Sequence, residues 1–301
     1  MDRNLMATTI DLGLAAALVT LLTGLAHGAD PGSRLCPWEV KALREATEDE
    51  RAFETRLPHA ALDLDRTQVP GPDSSRLVVR RDAQGRPTVY LERAGGGSGA
   101  IVEGWSFFPS WSPDGSHAAC LVWRSDRRSD LAIVQASSGK ILNIDSTLAM
   151  IDYKWSPDSR YIAAYGRERW SRKAKLVWID VAAKRSRTVD RLPVEGEYEL
   201  DWSPDSQRLA YTRTTAVNIH GEPSVLDLWV AGDLGRRKCR VVATADLELK
   251  PVWLSNQALR YTKTPAKEGH GTNVVEMVVE LAPTGSGKSS SELDGKQIRP
   301  Q

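Results

Sequence analysis

A chain of 301 residues, with 40 Lys and Arg against 39 Asp and Glu, is long enough for one large domain with tails. Its balanced charge gives no global pull toward nucleic acid or a membrane surface. Three cysteines are too few for a fold built on disulfides, and ten Trp against three Phe is a ratio the rest of the sequence has to explain.

From the N-terminus, Arg3 precedes an apolar stretch, Leu12 to Ala26, that runs into Gly28-Ala29. About 15 mostly apolar residues suit a signal peptide better than a membrane span of about 20. Residues 1–29 are read as a signal peptide, with an uncleaved membrane anchor as the alternative. Cleavage removes Asp2, Asp11 and Arg3 and takes the net charge from +1 to +2. The mature chain is expected to be periplasmic or secreted, with no integral membrane domain.

Residues 30–59 read as a linker and an acidic helix. Over 37–57, Pro37 suits a first helical turn, and Trp38, Val40, Leu43 and Ala46 make a partial apolar stripe. Glu39, Glu45, Glu48, Asp49, Glu50 and Glu54 supply the acidity.

A repeat follows. Trp-Ser-Pro-Asp occurs at Trp111-Ser112-Pro113-Asp114, Trp155-Ser156-Pro157-Asp158 and Trp202-Ser203-Pro204-Asp205, with starts 44 and 47 residues apart. A worn copy begins at Trp253 without the Pro-Asp pair. Another lies upstream, where Pro70 stands in place of the Trp and Asp73 keeps the acidic position. Starts at 70, 111, 155, 202 and 253 are the mark of a repeat architecture. Each unit reads as a meander. An alternating run such as Glu197 to Trp202 is one strand, the Pro-Asp element a turn, and Leu209-Ala210-Tyr211 a second strand. Runs such as Leu226 to Val230 and Ile141 to Ile144 give a third and a fourth. Four short strands per 40–45 residues is the arithmetic of a β-propeller blade.

The repeats, over about residues 60–282, resemble those of the TolB-like (WD40-like, PD40) propellers, which also form non-catalytic domains in prolyl oligopeptidase-type peptidases. The resemblance implies an all-β propeller of four-stranded antiparallel blades. Five blades are counted, and a sixth would need strands from residues 30–69 or 283–301. The last repeat lacks a fourth strand of its own, and an N-terminal strand can close the ring by pairing there. TolB proteins carry an α/β domain ahead of the propeller; only a short segment precedes it here. The tail, 283–301, is polar and expected to be disordered.

The chemistry is mostly negative. There is no Gly-x-Ser-x-Gly elbow, His-Glu-x-x-His or Cys-x-x-Cys. Gly285-Ser286-Gly287-Lys288-Ser289 resembles the end of a P-loop, but Ala282 stands where the first Gly is required and a polar tail follows. No catalytic residue, metal ligand or cofactor is assigned. The rings of Trp105, Trp111, Trp155, Trp202 and Trp253 are expected to pack between blades, and Asp73, Asp114, Asp158 and Asp205 to bond turn backbone. Cys120 reads as a small buried hydrophobe; which two of Cys36, Cys120 and Cys239 might pair is left open.

Function is therefore sought in the loops. Those between second and third strands share one face and are basic: Arg124, Arg127 and Arg128 in one, Arg167, Arg169, Arg172 and Lys173 in the next, Lys263 and Lys267 in the last. Arg80, Arg81 and Arg86 add to them from the first repeat. Such a rim suits an acidic protein segment or an anionic polymer, not nucleic acid. The expected function is an exported, non-catalytic interaction platform. The rivals are a hydrolase or lyase working on polysaccharide or peptide at the central channel, and a remnant of a propeller peptidase without its catalytic domain.

Overall fold

The computed structural model describes residues 36–53, 68–102, 105–124, 128–143, 148–168, 173–192, 199–217, 223–243, 247–264 and 274–284. Twenty strands among them make five four-stranded antiparallel blades. Blade 1 is β2 (Gln68–Pro70), β3 (Arg76–Arg81), β4 (Pro87–Glu92) and β5 (Ser98–Ala100), and blade 2 is β6 (Ser106–Trp111), β7 (His117–Arg124), β8 (Arg128–Gln135) and β9 (Ile141–Asn143). Blade 3 holds β10 (Leu148–Trp155), β11 (Tyr161–Glu168), β12 (Ala174–Asp180) and β13 (Arg185–Leu192); blade 4 holds β14 (Leu200–Trp202), β15 (Arg208–Val217), β16 (Pro223–Gly232) and β17 (Arg237–Val242). Blade 5 takes β18 (Leu247–Trp253), β19 (Ala258–Thr264) and β20 (Val275–Pro283) from the C-terminal repeat and β1 (Trp38–Glu45) from the other end of the chain.

That last pairing corrects the helix expected over 37–57. Trp38 to Glu45 is a strand, antiparallel to β20 from Trp38–Pro283 to Glu45–Met277. A stripe of apolar residues cannot compete with an open sheet edge, which offers partners to the backbone N–H and C=O groups that face it. Trp38 packs with the blade 4–5 core, so closely over Gly232 that a Cβ there would lie 2.8 Å from its ring. A disulfide from Cys36 to Cys239 on β17 ties the start of β1 to blade 4. The helix that does form, α1 (Glu48–Ala52), is one turn with a reciprocal capping box between Thr47 and Glu50. Arg44 donates to Glu50 at 2.7 Å and holds that carboxyl down to about 2. Arg260 of β19 donates to the Glu50 carbonyl at 2.6 Å, which fixes the turn on blade 5.

The blades pack through apolar seams that follow from period-2 alternation. On β7, Ala118, Cys120 and Val122 join Leu77, Val89 and Leu91 of blade 1, while Ala119 and Leu121 join Tyr153, Trp155 and Ile162 of blade 3. Cys120 is fully buried, and burial pushes its thiol up to about 12, so it behaves as the small hydrophobe expected. The seam between blades 3 and 4 sets Trp178 against Trp202, ring centroids 4.4 Å apart and edge to face. Trp253 and Tyr261 fill the seam between blades 4 and 5. Among the described residues, no helix is long and apolar enough to cross a membrane. Residues 1–29, read as signal peptide, lie outside the described residues, as does the tail read over 283–301 except for its first two residues, which are ordered: Pro283 ends β20 opposite Trp38, and the Thr284 N–H donates to the Pro37 carbonyl at 2.9 Å.

Candidate functional site

The repeat motif is scaffold, and its hydrogen bonds show how. In blades 2, 3 and 4 the Ser hydroxyl donates to the Asp two residues on: Ser112 to Asp114 at 2.6 Å, Ser156 to Asp158 at 2.6 Å, Ser203 to Asp205 at 2.5 Å. Burial pushes the Asp114 and Asp205 carboxyls up. Bonds from Ser112 and Ser116, and from Ser203 and the Gln207 amide, outweigh it and hold both below the usual carboxylate range. The Pro113, Pro157 and Pro204 positions start these turns, each of which then needs a left-handed residue: Gly115 (φ 69), Ser159 (φ 63), Ser206 (φ 60).

The same turns bond blade to blade. The Asp114 N–H donates to Ser159 Oγ at 2.9 Å, Asp158 N–H to Ser206 Oγ at 3.0 Å and Asp205 N–H to Asn256 Oδ1 at 2.9 Å. The motif indoles do likewise, from Trp111 to the Val69 carbonyl (3.2 Å), Trp202 to Lys154 (3.0 Å) and Trp253 to Asp201 (3.2 Å). Trp155 Nε1 is buried without a partner among the described residues. Trp111, Trp155, Trp202 and Trp253 are thus committed to the seams, as their spacing predicts.

One rung of this ladder is absent. The residue that would accept from blade 1 is Gly115, which has no side chain. In blade 1 itself the motif Ser is replaced by Gly71, where a Cβ would lie 2.4 Å from the Trp111 ring. Asp73 therefore has neither the Ser donor nor the interblade acceptor of its sisters, and its carboxylate takes no hydrogen bond among the described residues. A groove of about 510 Å³ opens there, between the turns of blades 1 and 2. Asp73, Arg93, Asp114, Gln135 and the edge of Trp111 line it, with Ala94, Gly95, Gly115 and Ala136 as its small walls. Arg93 Nε donates to the Ala136 carbonyl at 3.2 Å, and no carboxylate pairs with its guanidinium among the described residues.

The inner strands hold a buried charge pair. Lys154 of blade 3 and Asp201 of blade 4 meet at 2.5 Å with both side chains 2% exposed, and Asp201 Oδ2 also accepts the Trp253 N–H at 2.8 Å. Close by on β10, burial pushes the Asp152 carboxyl up to about 6, against the Tyr153 N–H and Lys154, which favour its charge. Among the described residues no three His, Cys, Asp or Glu are grouped to hold a metal.

Of the basic loop residues, Arg127, Arg169, Arg172 and Lys267 lie outside the described residues. Arg124 and Arg128 close the β7–β8 hairpin as a cross-strand pair. Arg167 ends the β11–β12 ladder opposite Ala174, and the Lys173 carbonyl accepts the Glu168 N–H at 2.9 Å. Lys263 stands on β19 opposite Val275. In blade 1 the charge is offset locally: Arg80 pairs with Glu92, and Arg86 with Asp82 at 2.7 Å.

The loop face also holds what sequence reasoning misplaced. Trp105, expected in a seam, is 49% exposed, and Trp123 is 45% exposed. Trp105 immediately precedes β6, whose first residue Ser106 pairs with Val122 of β7, and the Trp123 N–H donates to the Trp105 carbonyl at 2.7 Å, so the two Trp residues continue that register side by side. Trp105 falls six residues ahead of the motif Trp, at the strand's solvent end, which is the signal that separates it from the seam rings.

No family model matches the chain, and no curated protein matches it. Several solved propeller structures are similar. The tricorn protease shares 13% identity over 66% of this chain and 23% of its own, with a TM-score of 0.49. TolB from Acinetobacter baumannii shares 14% over 71% and 54%, with a TM-score of 0.44. The β-propeller domain of the Trilobed protease from Pyrococcus furiosus, described as having an open velcro topology, shares 13% over 69% and 68%, with a TM-score of 0.49. The chain spans about a quarter of the tricorn protease and about half of that TolB. The chain's own strand pairing carries the assignment of a five-blade propeller, and these structures share its propeller fold.

Proposed function

We propose that the protein is an exported, non-catalytic platform that captures a protein partner on the loop face of blade 2. The observation that carries this reading is the pair of exposed rings, Trp105 and Trp123, beside the Arg124–Arg128 hairpin. Large aromatics with Arg nearby are the residue types that dominate binding energy at protein interfaces. The basic loops would steer an acidic segment toward them. Arg127, Arg167, Arg169, Arg172 and Lys173 extend that rim in the proposal. Export is supported by the Cys36–Cys239 disulfide, a bond that persists in oxidising compartments, together with the N-terminal apolar stretch.

The rival reading, a hydrolase or lyase at the central channel, needs two carboxyls acting together. Asp201 is already bound by Lys154 and by the Trp253 N–H, so it does not serve as a partner to Asp152. The test compares capture by the mature protein with capture by Trp105→Ala/Trp123→Ala and by Arg124→Glu/Arg128→Glu. A partner enriched from envelope extract by the parent should bind each variant at least about tenfold more weakly, with thermal unfolding unchanged. Undiminished capture by both variants sinks the reading.

A further inference from the structure

We propose that the groove between blades 1 and 2 is a second binding site, on the turn face, for a short peptide or amino acid carrying both a free ammonium and a free carboxylate. The place is set by the broken ladder. In the other three seams between consecutive blades, a Ser or Asn side chain of the following blade sits where Gly115 leaves a space. A Ser hydroxyl also satisfies the motif carboxylate in blades 2 to 4, where blade 1 has Gly71. Asp73 is left as an acceptor wanting donors. Arg93 is left with guanidinium N–H groups wanting an acceptor, and the two do not pair with each other. Gly71 is not a loss without consequence, because it lets the Trp111 ring seat in the seam.

The charges choose the ligand. Arg93 presents a planar fork that fits a carboxylate through two parallel bonds. Asp73 takes an ammonium through the donors a Ser hydroxyl supplies in the sister blades, now with charge added. Asp73 and Asp114 against Arg93 leave the groove one charge negative. A simple anion would meet two carboxylates for one guanidinium, whereas a zwitterion meets one partner for each end. The volume, about 510 Å³, is within the usual range for small-molecule sites, about 300–1,000 Å³. Ala94, Gly95, Gly115 and Ala136 leave room for small side chains.

The site lies on the face opposite Trp105 and Trp123, so its fate is independent of the partner surface proposed above. The probe is trialanine, titrated into the full chain by calorimetry, with amide chemical shifts locating the contact. Trialanine should bind saturably and shift residues 93–95 and 114–116. Acetylating its amine or amidating its carboxyl should each weaken binding about tenfold, the scale of one lost charge-assisted hydrogen bond. Asp73→Asn should abolish the penalty for acetylation alone, and Arg93→Met the penalty for amidation alone. Both positions are at the surface, and unchanged thermal unfolding shows that the variants are folded. Three outcomes overturn the proposal: no saturable binding, equal binding of blocked and free peptide, or shifts that map elsewhere.

Discussion

The seam between blades 3 and 4 and the seam between blades 1 and 2 are built from the same motif and end up opposite in character. The first is closed at every level. Lys154 and Asp201 pair in its interior, Trp178 and Trp202 meet edge to face, the Trp202 indole bonds the Lys154 carbonyl, and the Asp158 N–H bonds Ser206. Asp190 adds an outer clamp, taking the Tyr211 hydroxyl at 2.8 Å and the Lys238 ammonium. The second keeps the apolar seam and the Trp111 indole bond but loses the turn rung and the motif Ser. At the turn layer the difference is two glycines. A repeat protein can keep the apolar layer and a few polar bonds of one seam and leave its turn layer free to meet something else.

The comparison breaks hardest at Lys154. Lys154→Met leaves Asp201 buried and without its cation, and removing one member of such a pair costs about 3–5 kcal/mol. Denaturant unfolding should show that loss as a lower midpoint with little change in slope. Pairing the substitution with Asp201→Leu should recover only part of it, since the buried charge is gone but the Trp253 N–H loses its acceptor at a cost of about 1–3 kcal/mol. If Lys154→Met alone costs under about 1 kcal/mol, the 3–4 seam is not held by its charge pair.

A smaller effect tests the rung itself. Ser206→Ala strands the Asp158 N–H, and a part-buried donor left unmet costs about 1 kcal/mol. Ser74→Ala, at the same motif position in blade 1 but exposed and with no rung onto blade 2, should stay within about 0.5 kcal/mol. Equal effects at the two positions would show that the rung adds nothing to the 3–4 seam.

How much of this was legible follows from what each residue depends on. The blade strands and the burial of Trp111, Trp155, Trp202 and Trp253 depend on local periodicity and repeat spacing, which the sequence displays directly. The strand at Trp38 to Glu45 depends on an edge more than 230 residues away, at β20, and a local apolar stripe looked helical in its absence. The capping box at Thr47 and Glu50 was a local signal and marks where the true helix starts. The Cys36–Cys239 pairing follows from the same long-range closure, so cysteine spacing held no hint of it. The groove was legible in principle. Aligning the five motif copies puts Gly71 and Gly115 where sister blades have Ser, but only the register of turn against turn shows that both vacancies face Asp73.

The finest test converts the open seam toward the closed one. Gly115→Ser places a hydroxyl where Ser159 and Ser206 stand, in a turn whose left-handed backbone already accepts Ser at φ 63 and φ 60 in the sister blades. The new side chain should accept the Asp73 N–H and gain about 0.5–1 kcal/mol from that bond, with a further few tenths from a less flexible unfolded chain. Against this stands the strain of a side chain at positive φ, of order 1 kcal/mol. The net is therefore expected within about 1 kcal/mol of zero, and stability alone is a weak readout. Amide exchange is the sharper one. Asp73 N–H should become protected to the degree of Asp114 and Asp158 if the rung forms, because a bonded turn amide exchanges only when the turn opens. An Asp73 amide that exchanges as fast in Gly115→Ser as in the parent would mean that the blade 1 turn, with Asp73 itself at φ 53, is set in a different shape from its sisters and not merely short of a partner.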